Sequence, residues 1–399
     1  MVHAILHILD WLLWTVMAVS TAYVLLFSFA SLLPKRKKSP SASSAPEAHT
    51  FLVIFPAYRE DAVIIHSAET FLRQQYPQSH YEVVVVSDHM QPATNEQLSA
   101  LPLMLLTPSF AKSSKARALQ HALSWAENSG RQFDRVVILD ADNIVSPDFL
   151  SCLNVECRRG HAAIQCHRTA KNSNNDIAAL DGLSEEINNT IFRKGHNRLG
   201  LSSALIGSGM CFDYVWFKSH VSQLDSAVED RELEALLMKE NIYIHYAEDI
   251  LVMDEKVSSS DNFQRQRLRW MTGQVQTLLL MLPYLPKAIA KGNVNYIDKT
   301  VQQALIPRSL LLVFTTVLTV AMLFLSLSHA LKWCLLLAAL CLSVLIAIPS
   351  PLRTTALARK ALNMPGLVWQ MLKNLLHIDV KSKEFHHTTH GTKPSDHHE

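Results

Sequence analysis

Three stretches free of Asp, Glu, Lys and Arg, at 11–33, 309–331 and 333–352, bracket a long middle portion where short apolar runs alternate with helically spaced ones. Each reaches the roughly 20 residues that a membrane-crossing helix needs. The first is too long for the core of a signal peptide. It runs into Pro34 and the cluster Lys35 to Lys38, while the ten residues before it hold no Lys or Arg. That asymmetry predicts an integral membrane protein whose chain after residue 34 lies in the cytoplasm, the inner-membrane face if the source is bacterial. Lys332 separates the other two stretches, so they form a hairpin, and Arg353, Arg359 and Lys360 return the tail to the same side. No charge falls inside the three stretches, which speaks against a transporter.

In the middle portion, Phe51 to Phe55, Glu82 to Val86, Leu101 to Leu106 and Arg135 to Leu139 read as strands. Asp61 to Gln75 and Lys115 to Asn128 have helical spacing, and Ile242 to Val252 reads as an edge strand. Such alternation predicts parallel βαβ units in an α/β fold, whose ligands bind beyond the carboxyl ends of the strands. Pro56-Ala57-Tyr58-Arg59-Glu60, Ser87-Asp88 and Asp140-Ala141-Asp142-Asn143 all fall at such ends. Gly207-Ser208-Gly209 lacks a third glycine, and no P-loop pattern is present, which argues against dinucleotide and P-loop chemistry.

Composition narrows the partners. A chain of 399 residues, 49% hydrophobic and 18% charged, can bury a large core, and a net charge of +2 leaves no cationic excess for nucleic acid. The six cysteines form no CxxC pair, which favours reduced structural thiols over a disulfide or zinc framework. Ser39 to Ala48 is a Ser- and Pro-rich linker. Val275 to Ala290 places Leu278, Leu279, Leu282, Leu285 and Ile289 on one side, suiting a helix on the membrane surface or a packed core helix. Ala356 to Leu376 has a similar pattern.

Asp140 and Asp142, two carboxylates at the end of a buried strand, are costly unless a positive group meets them. A hard divalent cation carrying phosphate oxygens suits them; a solvated turn is the alternative. Asp230 is either a general base or, with Glu229, an ordinary first-turn acid of the helix that follows. Gln266, Arg269 and Trp270 share one helix face, where Arg can grip phosphate and Trp can stack on a sugar. Arg265 and Arg267 fit the wet side of the same helix. Glu248 and Asp249, in the edge strand, are not expected to act in catalysis.

These motifs, in this order, resemble the membrane-integrated family 2 glycosyltransferases that include cellulose, chitin-oligosaccharide and hyaluronan synthases. The likeness covers about residues 50 to 275 and extends to the flanking membrane segments. It implies a GT-A-type nucleotide-sugar-binding domain with a mostly parallel sheet, one N-terminal and two C-terminal transmembrane helices, and amphipathic interface helices. By that resemblance Pro56, Ala57, Tyr58, Glu60, Asp88, Lys115, Asp140, Gln266, Arg269 and Trp270 bind the nucleotide. Asp142 and Asp140 hold Mg²⁺ or Mn²⁺, and Asp230, in Val228-Glu229-Asp230, is the catalytic base. Gly207, Ser208, Gly209, Glu229 and Trp270 face the acceptor. Phe385-His386-His387-Thr388-Thr389-His390 is similar to the synthases' gating loop at Phe385 and Thr388, whereas His390 stands where they have lysine. A disordered, His-rich terminus is the alternative reading.

The expected organisation is a short N-terminus at 1–10, a transmembrane helix at 11–33, a linker at 34–48 and the catalytic domain at 49–262. The QxxRW motif and interface helices follow at 263–306, transmembrane helices at 309–331 and 333–352, an amphipathic segment at 353–380 and the tail at 381–399. The implied activity is transfer from a UDP-sugar to a saccharide or lipid-linked acceptor at the bilayer. QxxRW leans towards repeated addition. Three spans are few for an export channel, so a polymer-exporting enzyme would need a homo-oligomer or a partner. Single transfer to a lipid, as in ceramide glucosyltransferase-like enzymes, and a non-catalytic GT-A subunit are the alternatives.

Overall fold

The computed structural model describes residues 2–35 and 48–355, except 174, 227 and 258. Most of the expected linker therefore lies outside the described residues. So does almost all of the 353–380 segment, and so do Phe385, Thr388 and His390 of the proposed gating loop.

The elements run α1 (Val2–Ala30), β1 (Phe51–Tyr58), α2 (Ile64–Phe71), β2 (Tyr81–Asp88), α3 (Pro92–Ser99), β3 (Met104–Leu106) and α4 (Lys115–Asn128). Next come β4 (Arg135–Ile138), β5 (Ile144–Val145), α5 (Phe149–Arg158), β6 (Ala163–Ala170), α6 (Asp176–Asn188), a π-helical segment (Asn189–Gly195) and α7 (His196–Leu199). They are followed by β7 (Met210–Asp213), α8 (Tyr214–His220), α9 (Glu229–Lys239), β8 (Ile244–Asp254) and α10 (Ser260–Met281). The chain ends with α11 (Leu285–Ala290), α12 (Val294–Ala304), α13 (Arg308–Leu325) and α14 (Leu327–Ala347).

One mixed sheet carries the domain, in the order β3-β2-β1-β4-β7-β6-β8-β5. β3, β2, β1 and β4 are parallel, as their unbroken apolar runs require when both faces are covered. Side chains of successive residues serve opposite layers. Leu52, Ile54, Val84 and Val136 pack towards α4, α8 and α9, while Phe51, Val53, Phe55 and Val137 pack towards α2 and α5. β7 is the antiparallel intruder between β4 and β6. β6 pairs in parallel with β8, with a register shift in which Cys166 faces Ala247 but His167 faces Leu251. The bulge leaves out Glu248 and Asp249, which turn to Arg198 and Lys35 beside the exit of α1. The low expectation for those two acids has this structural reason.

The apolar helices differ from expectation in their charge. α13 and α14 are separated at Ser326, whose backbone is extended, so Lys332 lies inside α14 rather than at the turn. α1 starts nine residues before the uncharged stretch and takes in Asp10, which is buried against Lys332 and accepts from Trp333 Nε1 at 2.8 Å. The helices thus extend past the uncharged stretches and take in one charge each, and Asp10 and Lys332 neutralise each other between helices, which makes burying either tolerable. Three helices remain long and apolar enough to cross a membrane, His7–Ala30, Arg308–Leu325 and Leu327–Ala347. Their outward faces keep Phe324, Leu325, Leu327, Leu335 and Leu345 exposed. Leu279, Leu280, Leu282 and Ile289 are likewise exposed on α10, α11 and the turn between them, whereas Met281 and Ala288 join the domain core.

The second half of α1 docks on the domain that carries the sheet. Phe27 stacks on His196 with ring centroids 3.6 Å apart, and Tyr23 donates to Asp298 at 2.8 Å. Gly195 allows this approach: a Cβ there would stand 2.2 Å from the Phe27 carbonyl oxygen.

Candidate active site

At the carboxyl ends of β1, β2 and β4 the backbone opens into a cavity of about 390 Å³. Two residues with left-handed backbone, Arg59 (φ 56°) and His89 (φ 55°), turn the chain directly after β1 and β2. Such conformations cost non-glycine residues of the order of 1–3 kcal/mol and cluster at functional sites. The turn places Asp88 almost wholly inside, where Oδ1 accepts from His89 Nδ1 at 2.6 Å and from the Phe110 amide at 3.3 Å. After β4, Asn143 closes the turn by accepting from the Asp140 amide at 2.9 Å while its own amide donates to the Asp140 carbonyl at 3.0 Å. Asp142 is held from the other side, its Oδ2 accepting from the Glu255 amide at 2.7 Å just beyond β8.

Lys115, first residue of α4, ties these parts together. Its Nζ donates to Asp140 Oδ1 at 2.5 Å and to the Gly207 carbonyl at 2.7 Å, and lies 3.5 Å from Glu229. Gly207 has φ +69°, and a Cβ there would sit 3.8 Å from Asp230 Oδ2. That is ordinary contact, so it is the left-handed backbone and not the space that favours glycine in this loop. Burial pulls Lys115 down, but Asp140 and Glu229 outweigh it and hold the ammonium above the ordinary lysine range. Burial pushes Glu229 up to about 7, against the pull of Lys115 and with Asp230 adding to the push.

Of the residues singled out from sequence, Pro56, Ala57, Tyr58, Glu60, Asp88, Lys115, Asp140, Asp142, Gly207, Glu229, Asp230, Gln266, Arg269 and Trp270 all border this one cavity. Ser208 and Gly209 do not, and the acceptor-facing expectation for them is corrected. Ser208 is fully buried, and Gly209 is hydrogen-bonded between Ile138 and Cys166, with Val252 at its back. Arg267 is also corrected: it is no wet-face residue but a cavity wall, paired with Asp181 at 2.5 Å and stacked over Trp270 at 4.7 Å.

Sequence reasoning missed the opposite wall. Arg168 at the end of β6 pairs with Glu185 at 2.6 Å, and Lys256 contacts Glu185 and Asp254. Burial, opposed by Arg168 and reinforced by Asp142 and Asp181, pushes the Asp254 carboxyl up to about 8. Burial and Arg168 bring Lys256 down to about 7. The available signal was position, since Asp254-Glu255-Lys256 follows a strand just as Asp140-Asp142 does.

The cavity continues from Asp230 past Arg193 and Phe192 to Val24 of α1 and to Pro307 and Arg308 at the start of α13. Arg193 and Arg308 form no ion pair with a carboxylate among the described residues; their partners are Asn189 and Ser184, and Arg193 Nε and Arg308 Nη1 lack hydrogen-bond partners. Burial lowers Arg193 to about 10.

The donor set fits a hard divalent ion. Asp140 and Asp142 offer carboxylate oxygens, each with two lone pairs, and the Asp254 carboxyl lies in their field. Gln266 Oε1, on the cavity wall, is buried without a hydrogen-bond partner.

The family model "Glycosyl transferase family group 2" matches residues 135–349, more than half of the chain, and "Glycosyl transferase family 2" matches residues 52–217. No curated protein matches the chain. Similar solved structures include the mannosyltransferase PcManGT from Pyrobaculum calidifontis in complex with GDP-Man and Mn²⁺, at 16% identity over 92% of this chain and 98% of that one, TM-score 0.54. S. aureus TarS 1-349 aligns at 14% identity over 82% of this chain and 89% of that one, with a TM-score of 0.43. Glucosyl-3-phosphoglycerate synthase from Mycobacterium tuberculosis aligns at 16% identity over 62% and 86%, TM-score 0.40. The fold is GT-A-like, and the chain belongs to the family 2 glycosyltransferases.

Proposed function

We propose that this glycosyltransferase is membrane-bound and inverting, and moves a hexose or N-acetylhexosamine from a UDP-sugar onto a lipid-linked acceptor at the cytoplasmic face. One observation carries the reading: Asp140, Asp142, Lys115 and Asp230 border a single cavity whose far arm reaches α1 and α13. A sugar donor can occupy the strand end of that cavity while an acceptor enters from the bilayer. Arg193 and Arg308 form no ion pair with a carboxylate among the described residues, and a phosphate on a lipid-linked acceptor would supply their buried Nε and Nη1 with acceptors.

In this reading Asp88 and the turn Pro56 to Glu60 hold the uridine, and Asp140 and Asp142 hold Mg²⁺ or Mn²⁺. The bound cation would neutralise the departing diphosphate. Asp230 takes the proton of the acceptor hydroxyl as its oxygen attacks the anomeric carbon from the face opposite the leaving group. A positioned base of this kind contributes about 10²–10⁴-fold. Lys115 and Arg269 add positive charge beside the diphosphate, and Gln266 Oε1 accepts from a sugar hydroxyl. Glu229 holds Lys115 in place, and Trp270, stacked on Arg267, offers its ring to the acceptor sugar.

Nucleoside diphosphate release by the full-length protein in detergent, with Mn²⁺, over a panel of UDP-sugars and GDP-mannose, tests the reading. Release from a UDP-sugar that falls at least about 100-fold in Asp230→Asn is expected. Release that persists unchanged in that variant removes the mechanism, a preference for GDP-mannose removes the uridine assignment, and no release at all favours a binding subunit. Repeated addition is the second reading, supported by Gln266, Arg269 and Trp270 at the cavity wall. Product masses showing a single added sugar rule it out.

A further inference from the structure

Away from the transferase cavity, at the amino-terminal ends of β6 and β8, Glu156, His161 and His245 converge. Glu156 lies on the last turn of α5, His161 in the loop before β6, and His245 at the second position of β8. Ala163 pairs with Ile244, so the two histidines stand side by side, with rings stacked at 4.0 Å and only 5° from parallel. Both Nε2 atoms lie near one carboxylate oxygen: Glu156 Oε2 is 3.3 Å from His245 Nε2 and 3.9 Å from His161 Nε2. Taking one ligand atom from each residue, all three lie within 4.8 Å of one another.

These contacts do not satisfy the groups that make them. Glu156 is 7% exposed, yet its Oε2 has no hydrogen-bond partner, and neither has the buried Nε2 of His245. The 3.3 Å approach is therefore misaligned for a hydrogen bond. The other Glu156 oxygen is engaged by Arg159, and Arg135 donates to the His161 carbonyl at 3.0 Å, so carboxylate and loop are both held from behind. A buried carboxylate oxygen with no donor is expensive. A cation between them satisfies Glu156 Oε2 and His245 Nε2 at once.

We propose that Glu156, His161 and His245 form a zinc site separate from the transferase centre. Ligand atoms about 2.1 Å from a tetrahedral zinc stand about 3.4 Å apart; Glu156 Oε2 is already 3.3 and 3.9 Å from the two Nε2 atoms, and one ring turns out of the stack to bring its lone pair onto the ion. Two imidazoles and a carboxylate suit zinc and its first-row neighbours rather than Mg²⁺. A cavity of about 410 Å³ borders both histidines, so water can supply the fourth ligand. Lys35 and Arg198 border the same cavity, and Arg198 donates to the Leu33 carbonyl at 2.9 Å. The ion thus pins α5 to β6 and β8 where the chain leaves α1. From His245 to Asp254, β8 runs alongside Ile164 to Ala170 of β6, about 20 Å, which separates this ion from the Asp140–Asp142 pair.

The test is metal content of the full-length protein in detergent, incubated with Zn²⁺ and dialysed against metal-free buffer. About one zinc per chain is expected in the unsubstituted protein and in Asp142→Ala, and less than about a tenth in His245→Ala and Glu156→Gln. Co²⁺ added to the unsubstituted protein should give the visible absorption of tetrahedral cobalt, a readout that needs no variant to fold. Retention below about a tenth of an equivalent by the unsubstituted protein, the absence of the cobalt bands, or full retention by a folded His245→Ala overturns the site. None of these outcomes depends on transferase activity.

Discussion

Lys115 donates to Asp140 Oδ1 at 2.5 Å, so the first residue of α4 is tied to the turn that follows β4. The same ammonium lies 3.5 Å from Glu229, so it meets a carboxylate on either side. Lys115→Met should therefore lower kcat/KM for nucleotide release by about 10²–10³-fold, the usual loss when one preorganised donor is removed. Lys115→Arg should recover little, because a planar fork does not replace a compact ammonium between Asp140 and the Gly207 carbonyl. Steady-state kinetics of both variants decide; near-normal turnover in Lys115→Met would remove the lysine from the mechanism.

Metal removal should abolish turnover, and Mn²⁺ or Mg²⁺ should restore it. Asp142 is oriented by the Glu255 amide, and Asp142→Asn keeps that geometry while halving the charge of the pair. The half-activating metal concentration should rise by at least about 10–100-fold. A titration of activity against free Mn²⁺ measures this. Full activity in excess chelator would contradict the role given to the pair.

Gly195→Ala tests the seat of α1. The new methyl would stand 2.2 Å from the Phe27 carbonyl and 3.2 Å from that of Thr190, both backbone atoms that cannot step aside alone. Overpacking of this kind costs about 1–3 kcal/mol. The thermal midpoint in detergent should fall by several degrees, with faster proteolysis between α1 and β1. An unchanged midpoint would show that α1 and the π-helical segment are not packed as described.

Acid should loosen the same joint. Burial, with Lys299 adding to it, lowers His196 below the ordinary imidazole range, although Asp298 pulls the other way. The imidazole therefore stays neutral in the folded protein at pH values where the unfolded chain protonates it. Unfolding gains protons below about pH 6.5, so stability is lost as pH falls through that value towards the lowered one. Thermal midpoints between pH 7.5 and 5 should fall, and less steeply in His196→Gln. Parallel pH profiles for the two proteins would assign the loss to other groups.

Much of this was legible along the chain. Phe51 to Phe55 and Glu82 to Val86 announce buried parallel strands because both faces of such a sheet are covered, leaving no polar alternation. The acids after β1, β2 and β4 could be placed together because ligands meet parallel strands at their carboxyl ends. Uncharged runs of twenty residues have few uses besides crossing a bilayer. All of these are local or periodic properties, and a linear reading captures them.

The tertiary structure alone decided which groups face one another. Lys332 closes on Asp10 across 322 residues, and Arg267 turns inward to Asp181. Ser208 and Gly209 sink into the sheet behind the loop whose first member, Gly207, reaches the cavity. Arg193 and Arg308 form no ion pair with a carboxylate among the described residues, and Glu156 meets one histidine from the loop before β6 and one from β8. Pairings of this kind depend on register, on a bulge and on the crossing of helices, which are set by packing between distant segments. No short stretch of sequence encodes them, because each side chain's partner is chosen by the fold and not by its neighbours along the chain.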